Sequence, residues 1–264
     1  MASPEEMENA YNTAYHESLA AFGNGTLYME KFIHPARHIE FQILADEAGN
    51  AVCLGERECS IQKHNQKLVE ETPSPAVSEQ QREDLIQRVL RAVKKIGYTN
   101  AGTLEFLMDN KGSFYFMEMN VRLQVEHAIT EQLTGIDIVK WQIRIAAGVS
   151  LDFSQEDVRF NGVSIECRIN ARASGRVEFL HIPGGPFIRF DTFLWNGITV
   201  PPFYDALIGK LVVWAHTREE AIRKMKAALC ELVIKGLPNN TDEQISIVSS
   251  EKFASGNYDT DFFE

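Results

Sequence analysis

The stretch FYFMEMNVRLQVE, Phe114 to Glu126, decides how the chain is read. From Glu118 onward its even positions are polar or charged and its odd positions apolar. A strand sends successive side chains to opposite faces. The alternation therefore predicts Glu118, Asn120, Arg122, Gln124 and Glu126 on one surface, with Met117, Met119, Val121, Leu123 and Val125 anchoring the other. Acids, amides and a guanidinium in a row suit a divalent cation at one end and a small anion at the other. A solvated strand face is the plainer alternative. Immediately upstream, Gly102 to Leu107 and the turn at Asp109-Asn110-Lys111-Gly112 make this strand one arm of a hairpin, which brings Glu105 beside Glu118.

Working outward, Pro4 to Ala21 reads as a helix closed by Gly23-Asn24-Gly25. Thr26 to Phe32, Arg37 to Leu44 and Ala51 to Arg57 read as strands, the last two joined by the turn Asp46 to Asn50. Ser78 with Gln81 forms a capping box for a helix. Its stripe is Leu85, Ile86, Val89, Leu90, Val93 and Ile96, and Gly97 ends it. A helix over Thr134 to Ala147 precedes a boundary at Gly148 to Asn161. Beyond it, strands are predicted at Val163 to Asn170, Arg176 to His181, Ile188 to Asp191 and Leu207 to Trp214. A last helix runs from Thr217 to Lys235 and stops at Gly236.

Composition narrows the function classes. The 264 residues carry a net charge of −11, from 26 Lys plus Arg against 37 Asp plus Glu. That balance argues against a nucleic-acid partner, which needs a basic surface. Cys53, Cys59, Cys167 and Cys230 form no CxxC pair, which fits a reducing compartment and structural thiols. No stretch approaches the ~18 apolar residues of a membrane span, and the start MASPEEME lacks the regions of a secretion signal. The expectation is a soluble, cytoplasmic chain without membrane contact; a mitochondrial setting stays open.

Two clusters carry chemistry. Glu105, Glu118 and Asn120 offer hard oxygen ligands for Mg²⁺ or Mn²⁺ held with nucleotide phosphates, or else are surface acids on a wet sheet. Next to them Arg122, Gln124 and Glu126 supply a cation, an amide and a base for an anion and its proton. The second cluster, CSIQKHNQKLVEE from Cys59 to Glu71, gathers Lys63, His64 and Lys67 around Gln62, Asn65 and Gln66. It reads as a donor-rich loop for an anion or a base edge, against the simpler reading of a solvated basic loop.

The strings YMEKF (28 to 32), RHIEFQILAD (37 to 46), GERECSIQ (55 to 62), QKLVEE (66 to 71), GTLEF (102 to 106), FYFMEMNVRLQVEH (114 to 127), ECRINA (166 to 171) and YDALIGKL (204 to 211) resemble biotin carboxylase. That enzyme is an ATP-grasp ligase of acetyl-CoA, propionyl-CoA and pyruvate carboxylases. The resemblance runs from about Glu30 to the C-terminus. It implies an α+β fold: a remnant of the small ATP-grasp subdomain at 1–29, the large subdomain at 30–152, and a β-rich biotin carboxylase C-terminal domain at 153–264. It assigns ATP contacts to Glu30, Lys31, Ile33, His38, Gln62, Asn65 and Leu107, and metal binding to Glu105, Glu118 and Asn120. Bicarbonate falls to Lys67, Arg122, Gln124, Val125 and Glu126, with Glu126 as base, and the biotin enolate to Arg168. The implied cofactors and partners are ATP, Mg²⁺ or Mn²⁺, bicarbonate, biotin on a carrier protein, a carboxyltransferase and a second copy of the chain. Acetyl-CoA carboxylase and fatty acid biosynthesis are among the settings the resemblance implies; the sequence does not say which acyl-CoA or keto acid pathway is served.

Departures from the family pattern qualify this expectation. Relatives place a nucleotide-fold domain, a glycine-rich phosphate loop and two phosphate-binding lysines upstream of the position of Met1. After ECRINA an EDP motif and a longer loop give way here to Arg172-Ala173-Ser174-Gly175. Pro35-Ala36-Arg37 separates a Pro-Arg pair, Asn65 replaces a common His, and the GLPNN phrase at Asn239 differs from a Thr-Asn pair. Two classes of function are expected: a biotin carboxylase whose site another segment completes, or a non-catalytic C-terminal module that keeps the fold and a dimer surface. A carbamoyl-phosphate or purine-biosynthetic ligase is disfavoured by RLQVEH and ECRIN occurring together.

Overall fold

The computed structural model describes residues 4–264. The chain divides into two units, Met1–His34 and Pro35–Glu264. In the first, helix α1 (Glu5–Phe22) ends at Gly23, whose left-handed φ of 68° lets its N–H reach the Leu19 carbonyl. The strand expected at Thr26 to Phe32 does not form; residues 24–34 have no regular structure. Asn24 Oδ1 takes both the backbone N–H and the hydroxyl of Thr26, a local turn that diverts the backbone from a ladder.

The second unit is built on one antiparallel sheet. Its elements are β1 (Ala36–Ala45), β2 (Ala51–Lys63), β3 (Gln66–Thr72), α2 (Glu79–Ile96), β4 (Asn100–Asp109), β5 (Phe114–Asn120), α3 (His127–Thr134), α4 (Ile138–Ala146), β6 (Val163–Asn170), β7 (Gly175–Arg176), β8 (Phe179–His181), β9 (Ile188–Thr192), β10 (Thr199–Val200), β11 (Leu207–Ala215), α5 (Arg218–Glu231), β12 (Val233–Lys235), α6 (Thr241–Ser249) and α7 (Glu251–Ser255). The eight main strands lie in the order β5-β4-β1-β2-β3-β6-β11-β9. The β3–β6 ladder, Val69 opposite Cys167 to Thr72 opposite Ser164, carries the sheet across the position 152/153. One face is apolar. Ile39, Phe41, Ile43, Leu104 and Met108 pack under Val89 and Val93 of α2, and Ile165, Cys167, Leu211 and Val213 under Ala221 and Met225 of α5. The other face carries α3, α4 and a floor of buried charges.

Three expectations change in ways that build this floor. The loop read over Cys59 to Glu71 is a long hairpin. β2 runs to Lys63, His64 and Asn65 turn with φ of 51° and 61°, and β3 returns. Two consecutive positive φ values make the tight turn whose twist matches that of paired strands. The strand read over Phe114 to Glu126 ends at Asn120. Before that, Glu105 pairs with Glu118 but Phe106 with Phe116, so Met117 is an extra residue, a β-bulge. The bulge reverses the alternation: Glu118 joins Glu105 on the charged face, while Phe116 joins Phe106 on the face under α2. Met117 and Val121 are consequently exposed and anchor nothing, whereas Glu126 is fully buried in the turn ahead of α3.

The helix expected at Thr134 to Ala147 is α4, starting later at Ile138, and a further helix that was not expected, α3, precedes it. α3 ends at Gly135 (φ 72°), and α4 starts after Asp137, whose side chain caps Lys140 N. Likewise the last predicted helix keeps its Thr217 cap but stops at Glu231. Val233 and Ile234 are β-branched and pair with β8 instead, and α6 and α7 follow. The capping box of Ser78 and Gln81 forms as read.

Candidate active site

The charged floor begins with a period-two pattern on β1. His38, Glu40 and Gln42 share one face, and pairing sets Glu40 across from Arg57 on β2 and Glu105 on β4. Arg57 is fully buried. Its Nε lies 2.5 Å from Glu40 Oε1, Nη1 lies 2.8 Å from Gln42 Oε1 and 2.9 Å from Thr130 Oγ1, and Nη2 lies 3.3 Å from Thr103 Oγ1. Lys67 Nζ bridges Glu40 Oε2 at 2.7 Å and Glu126 Oε1 at 2.6 Å. Arg168 bridges Glu70 Oε1 at 2.6 Å and Glu126 Oε2 at 2.9 Å. Two cations from neighbouring strands thus converge on one carboxylate, Glu126. Burial alone would raise the Glu40 carboxyl, but Arg57 and Lys67 bring it down to about 2. Burial disfavours the Lys67 ammonium as well, yet Glu40 and Glu126 hold it well above the ordinary lysine range.

At the other end, Glu105 Oε1 accepts from Asn120 Nδ2 at 2.8 Å and from Gln124 Nε2 at 2.7 Å. Its Oε2 lies 2.6 Å from His38 Nε2, and Gln62 Nε2 lies 2.8 Å from His38 Nδ1. A carboxylate only accepts, so Nε2 donates to Glu105 and Nδ1 accepts from Gln62. Burial opposes ionisation of Glu105, but the His38 bond and Lys67 keep its carboxyl below the usual range. Asn120 also reaches Glu118 Oε1 at 3.0 Å, so a single amide spans both acids. Two carboxylates and an amide are a hard donor set that fits Mg²⁺ or Mn²⁺. Among the described residues, two other trios have ligand atoms close enough together for a metal: His38, Glu40 and Glu105, and Glu40, Cys59 and Glu126. Burial drives the Cys59 thiol well above its ordinary range.

Between the two ends runs the segment after β5. Arg122 Nη1 holds Gln124 Oε1 at 2.7 Å, and Lys210 Nζ on β11 holds the Val125 carbonyl at 2.6 Å. Lys67 Nζ lies 3.9 Å from Glu105 Oε1, so the structure brings Glu105, Glu118, Asn120, Arg122, Gln124, Glu126, Lys67, Arg168, His38 and Gln62 into one network, with the Val125 carbonyl held beside it by Lys210. Leu107 pairs beside His38 on the same face. Asn65 is not part of the network; it forms the exposed hairpin turn. Glu30, Lys31 and Ile33 belong to the irregular stretch of the first unit. Sequence reading missed Glu40, Arg57, Glu70 and Lys210. The alternation His38-Glu40-Gln42 was a usable signal for the first, since it repeats the pattern that singled out Glu118 and Asn120.

Comparison with known proteins agrees with this geometry. Residues 1–154 match the carbamoyl-phosphate synthase L chain ATP-binding domain, and residues 166–264 the biotin carboxylase C-terminal domain. The biotin carboxylase of Nostoc sp. is 49% identical over 99% of this chain and 60% of its own length. Biotin carboxylase 2, chloroplastic, of Populus trichocarpa is 48% identical over 98% of this chain and 51% of its own. The biotin carboxylase domain dimer of the Hydrogenobacter thermophilus 2-oxoglutarate carboxylase was solved with MgADP, ADP and bicarbonate. It superposes with a TM-score of 0.93 at 48% identity, covering 98% of this chain and 59% of that one. The chain thus spans about half to three-fifths of the length of these relatives. A two-part match of this extent, on a fold that places the shared motifs in one network, means that the chain belongs to the biotin carboxylase family.

Proposed function

We propose that this chain carries the bicarbonate-activating and biotin-carboxylating part of a biotin carboxylase. The observation that supports this most is the convergence of Lys67 and Arg168 on the buried Glu126. A base held between two cations can accept a proton from an anion that the same cations attract. In this reading Arg122, Gln124, the Val125 backbone and Lys67 orient bicarbonate, and Glu126 takes its proton. A bicarbonate oxygen attacks the γ-phosphorus of ATP and ADP leaves, forming carboxyphosphate. Carboxyphosphate breaks into CO₂ and phosphate, the phosphate takes the biotin N1 proton, and N1 attacks CO₂. Arg168 offsets the charge that develops on the ureido oxygen.

Glu105 and Glu118, with Asn120, would hold Mg²⁺ or Mn²⁺, whose chemistry here is neutralisation of phosphate charge. The nucleotide role of His38, Gln62 and Leu107 is supported by their shared face beside Glu105; that of Glu30, Lys31, Ile33 and Asn65 rests on the resemblance. Biotin on a carrier protein, a carboxyltransferase and a second copy of the chain are the proposed partners. The dimer of the Hydrogenobacter relative supports the last. The free thiols of all four cysteines suit a reducing medium and support a cytoplasmic setting, whereas acetyl-CoA carboxylase and fatty acid biosynthesis rest on the resemblance alone. Among the described residues no helix is long and apolar enough to cross a membrane.

The test is ADP release by the purified chain with ATP, Mg²⁺, bicarbonate and free biotin, against the same mixture without bicarbonate. Bicarbonate-dependent release supports the enzyme. Release that appears only when the upstream half of a full-length relative is added supports a part of a composite site. No release in either case overturns the reading in favour of a non-catalytic module.

A further inference from the structure

Glu166 is a buried acid with no task in the chemistry above. It stands on β6 with no exposed surface, and neither of its carboxyl oxygens has a hydrogen-bond partner. Directly across the ladder is Glu70 on β3, equally buried. Glu70 Oε1 accepts from Arg168, while its Oε2 also lacks a partner. Facing residues on antiparallel strands point to the same side with Cβ atoms about 4.5–5.5 Å apart. Three orphan carboxyl oxygens therefore lie on one buried face of the β3–β6 ladder.

The cations nearby are already engaged. Arg168 of β6 bonds Glu70 and Glu126, and Lys67 of β3 bonds Glu40 and Glu126. Lys210 of β11 bonds the Val125 carbonyl and lies 3.8 Å from Asp191 of β9. A charged Glu166 would be a buried anion facing a second anion, and such a group takes up a proton instead. A single proton partners two of the three, since it turns one oxygen of Glu166 into a donor for which the unpartnered oxygen of Glu70, across the ladder, is an acceptor.

We propose that Glu166 is a proton-bearing acid that donates its O–H to Glu70, and that this one-proton pair is the positioning element for Arg168 beside Glu126. With Glu166 neutral, Arg168 answers to two anions and stays stretched between Glu70 and Glu126. When Glu126 takes up a proton, Glu70 still anchors the guanidinium. If the pair lost its proton, two negative charges on one side would draw Arg168 off Glu126. Burial pushes Glu70 up to about 7 against the pull of Arg168, and burial with the facing Glu70 drives Glu166 well above the carboxylate range. The two titrate as a unit.

The placement at Arg168 rests on the proposed function; the shared proton does not. Infrared spectroscopy of the whole chain labelled with ¹³C-glutamate reads it directly. At neutral pH the expected spectrum contains the C=O stretch of a protonated carboxylic acid, shifted in D₂O, absent in Glu166→Gln and displaced in Glu70→Gln. Should Glu166→Gln fail to fold, the displacement of the band in Glu70→Gln decides, since burial also raises Glu58 and the wild-type band alone does not assign it. The thermal midpoint gives a second readout. A carboxyl raised on folding contributes stability that is full below its unfolded value and is lost as pH rises towards its folded value. The midpoint of Glu166→Gln relative to wild type should therefore climb steadily from acid to neutral pH. No band at neutral pH, a band untouched in Glu166→Gln, or a flat midpoint difference overturns the proposal. Neither readout uses turnover. An inactive chain with the band keeps the proton pair, and bicarbonate-dependent ADP release without the band keeps the enzyme and sinks the pair.

Discussion

Replacing Arg57 with methionine removes a guanidinium with no exposed surface that donates to Glu40, Gln42, Thr130 and Thr103. Methionine matches much of the length, so the loss is chiefly electrostatic. Removing one partner of a buried pair costs about 3–5 kcal/mol, because the other charge is left uncompensated. Here Glu40 keeps Lys67 at 2.7 Å, which places the charge term near the lower end, ~3 kcal/mol. Gln42 Oε1 loses a buried donor, adding ~1 kcal/mol, while the two threonine oxygens lose a donor but keep their own O–H to donate. The total is ~4 kcal/mol, or roughly 8–16 °C in thermal midpoint for a unit the size of Pro35–Glu264. Urea unfolding followed by far-UV circular dichroism measures it, with Glu40→Gln added in a second variant. The double variant should recover part of the loss, because no lone carboxylate remains. A single-variant loss below ~1 kcal/mol would refute the reasoning, since it would show that Lys67 alone neutralises the floor.

Three further outcomes are expected. Glu126→Gln should lower stability by only ~1–2 kcal/mol, because Lys67 keeps Glu40 and Arg168 keeps Glu70. In the completed enzyme it should cut bicarbonate-dependent ADP release by ~10²–10⁴ with nucleotide affinity unchanged; surviving turnover places the base elsewhere. Arg168→Ala should spare that ATP cleavage more than biotin carboxylation, checked by comparing ADP with carboxybiotin formed. Acid should unfold the chain partly through Glu40. Its carboxyl is depressed on folding from 4.5 to about 2, so it contributes on the order of 3 kcal/mol above the unfolded value, lost as pH falls towards the folded one. Glu40→Gln should flatten that acid limb in a pH-dependent melting series, and an unchanged limb would count against the assignment.

Local order was legible where the signal is local. The α2 capping box of Ser78 and Gln81 and the turn at Asp109 to Gly112 depend on neighbours within a few residues, and they form as read. Glu105 does face Glu118 as read, but through the bulge: the register set by the turn, Met108 opposite Phe114 to Phe106 opposite Phe116, would bring Met117 opposite Glu105. The β-bulge at Met117 was not legible. Alternation assumes an unbroken ladder, and whether a residue is squeezed out depends on how the partner strand twists. The strand expected at Thr26 to Phe32 failed for a related reason: strand propensity is realised only where a ladder partner is supplied.

The sequence by itself determined the family motifs, the chemistry of the residues and most of the strands, since each is written in side-chain type and period. Only the tertiary structure decided which charges meet. Glu126 lies far along the chain from Lys67 and Arg168, and it becomes their common partner because β3 and β6 are neighbours in the sheet and the segment before α3 folds onto them. Glu40 with Arg57, and Glu70 with Glu166, are equally products of strand order and register. A carboxylate reads the same in sequence whether it faces water or another carboxylate. Its charge state is set by burial and by what stands across the ladder.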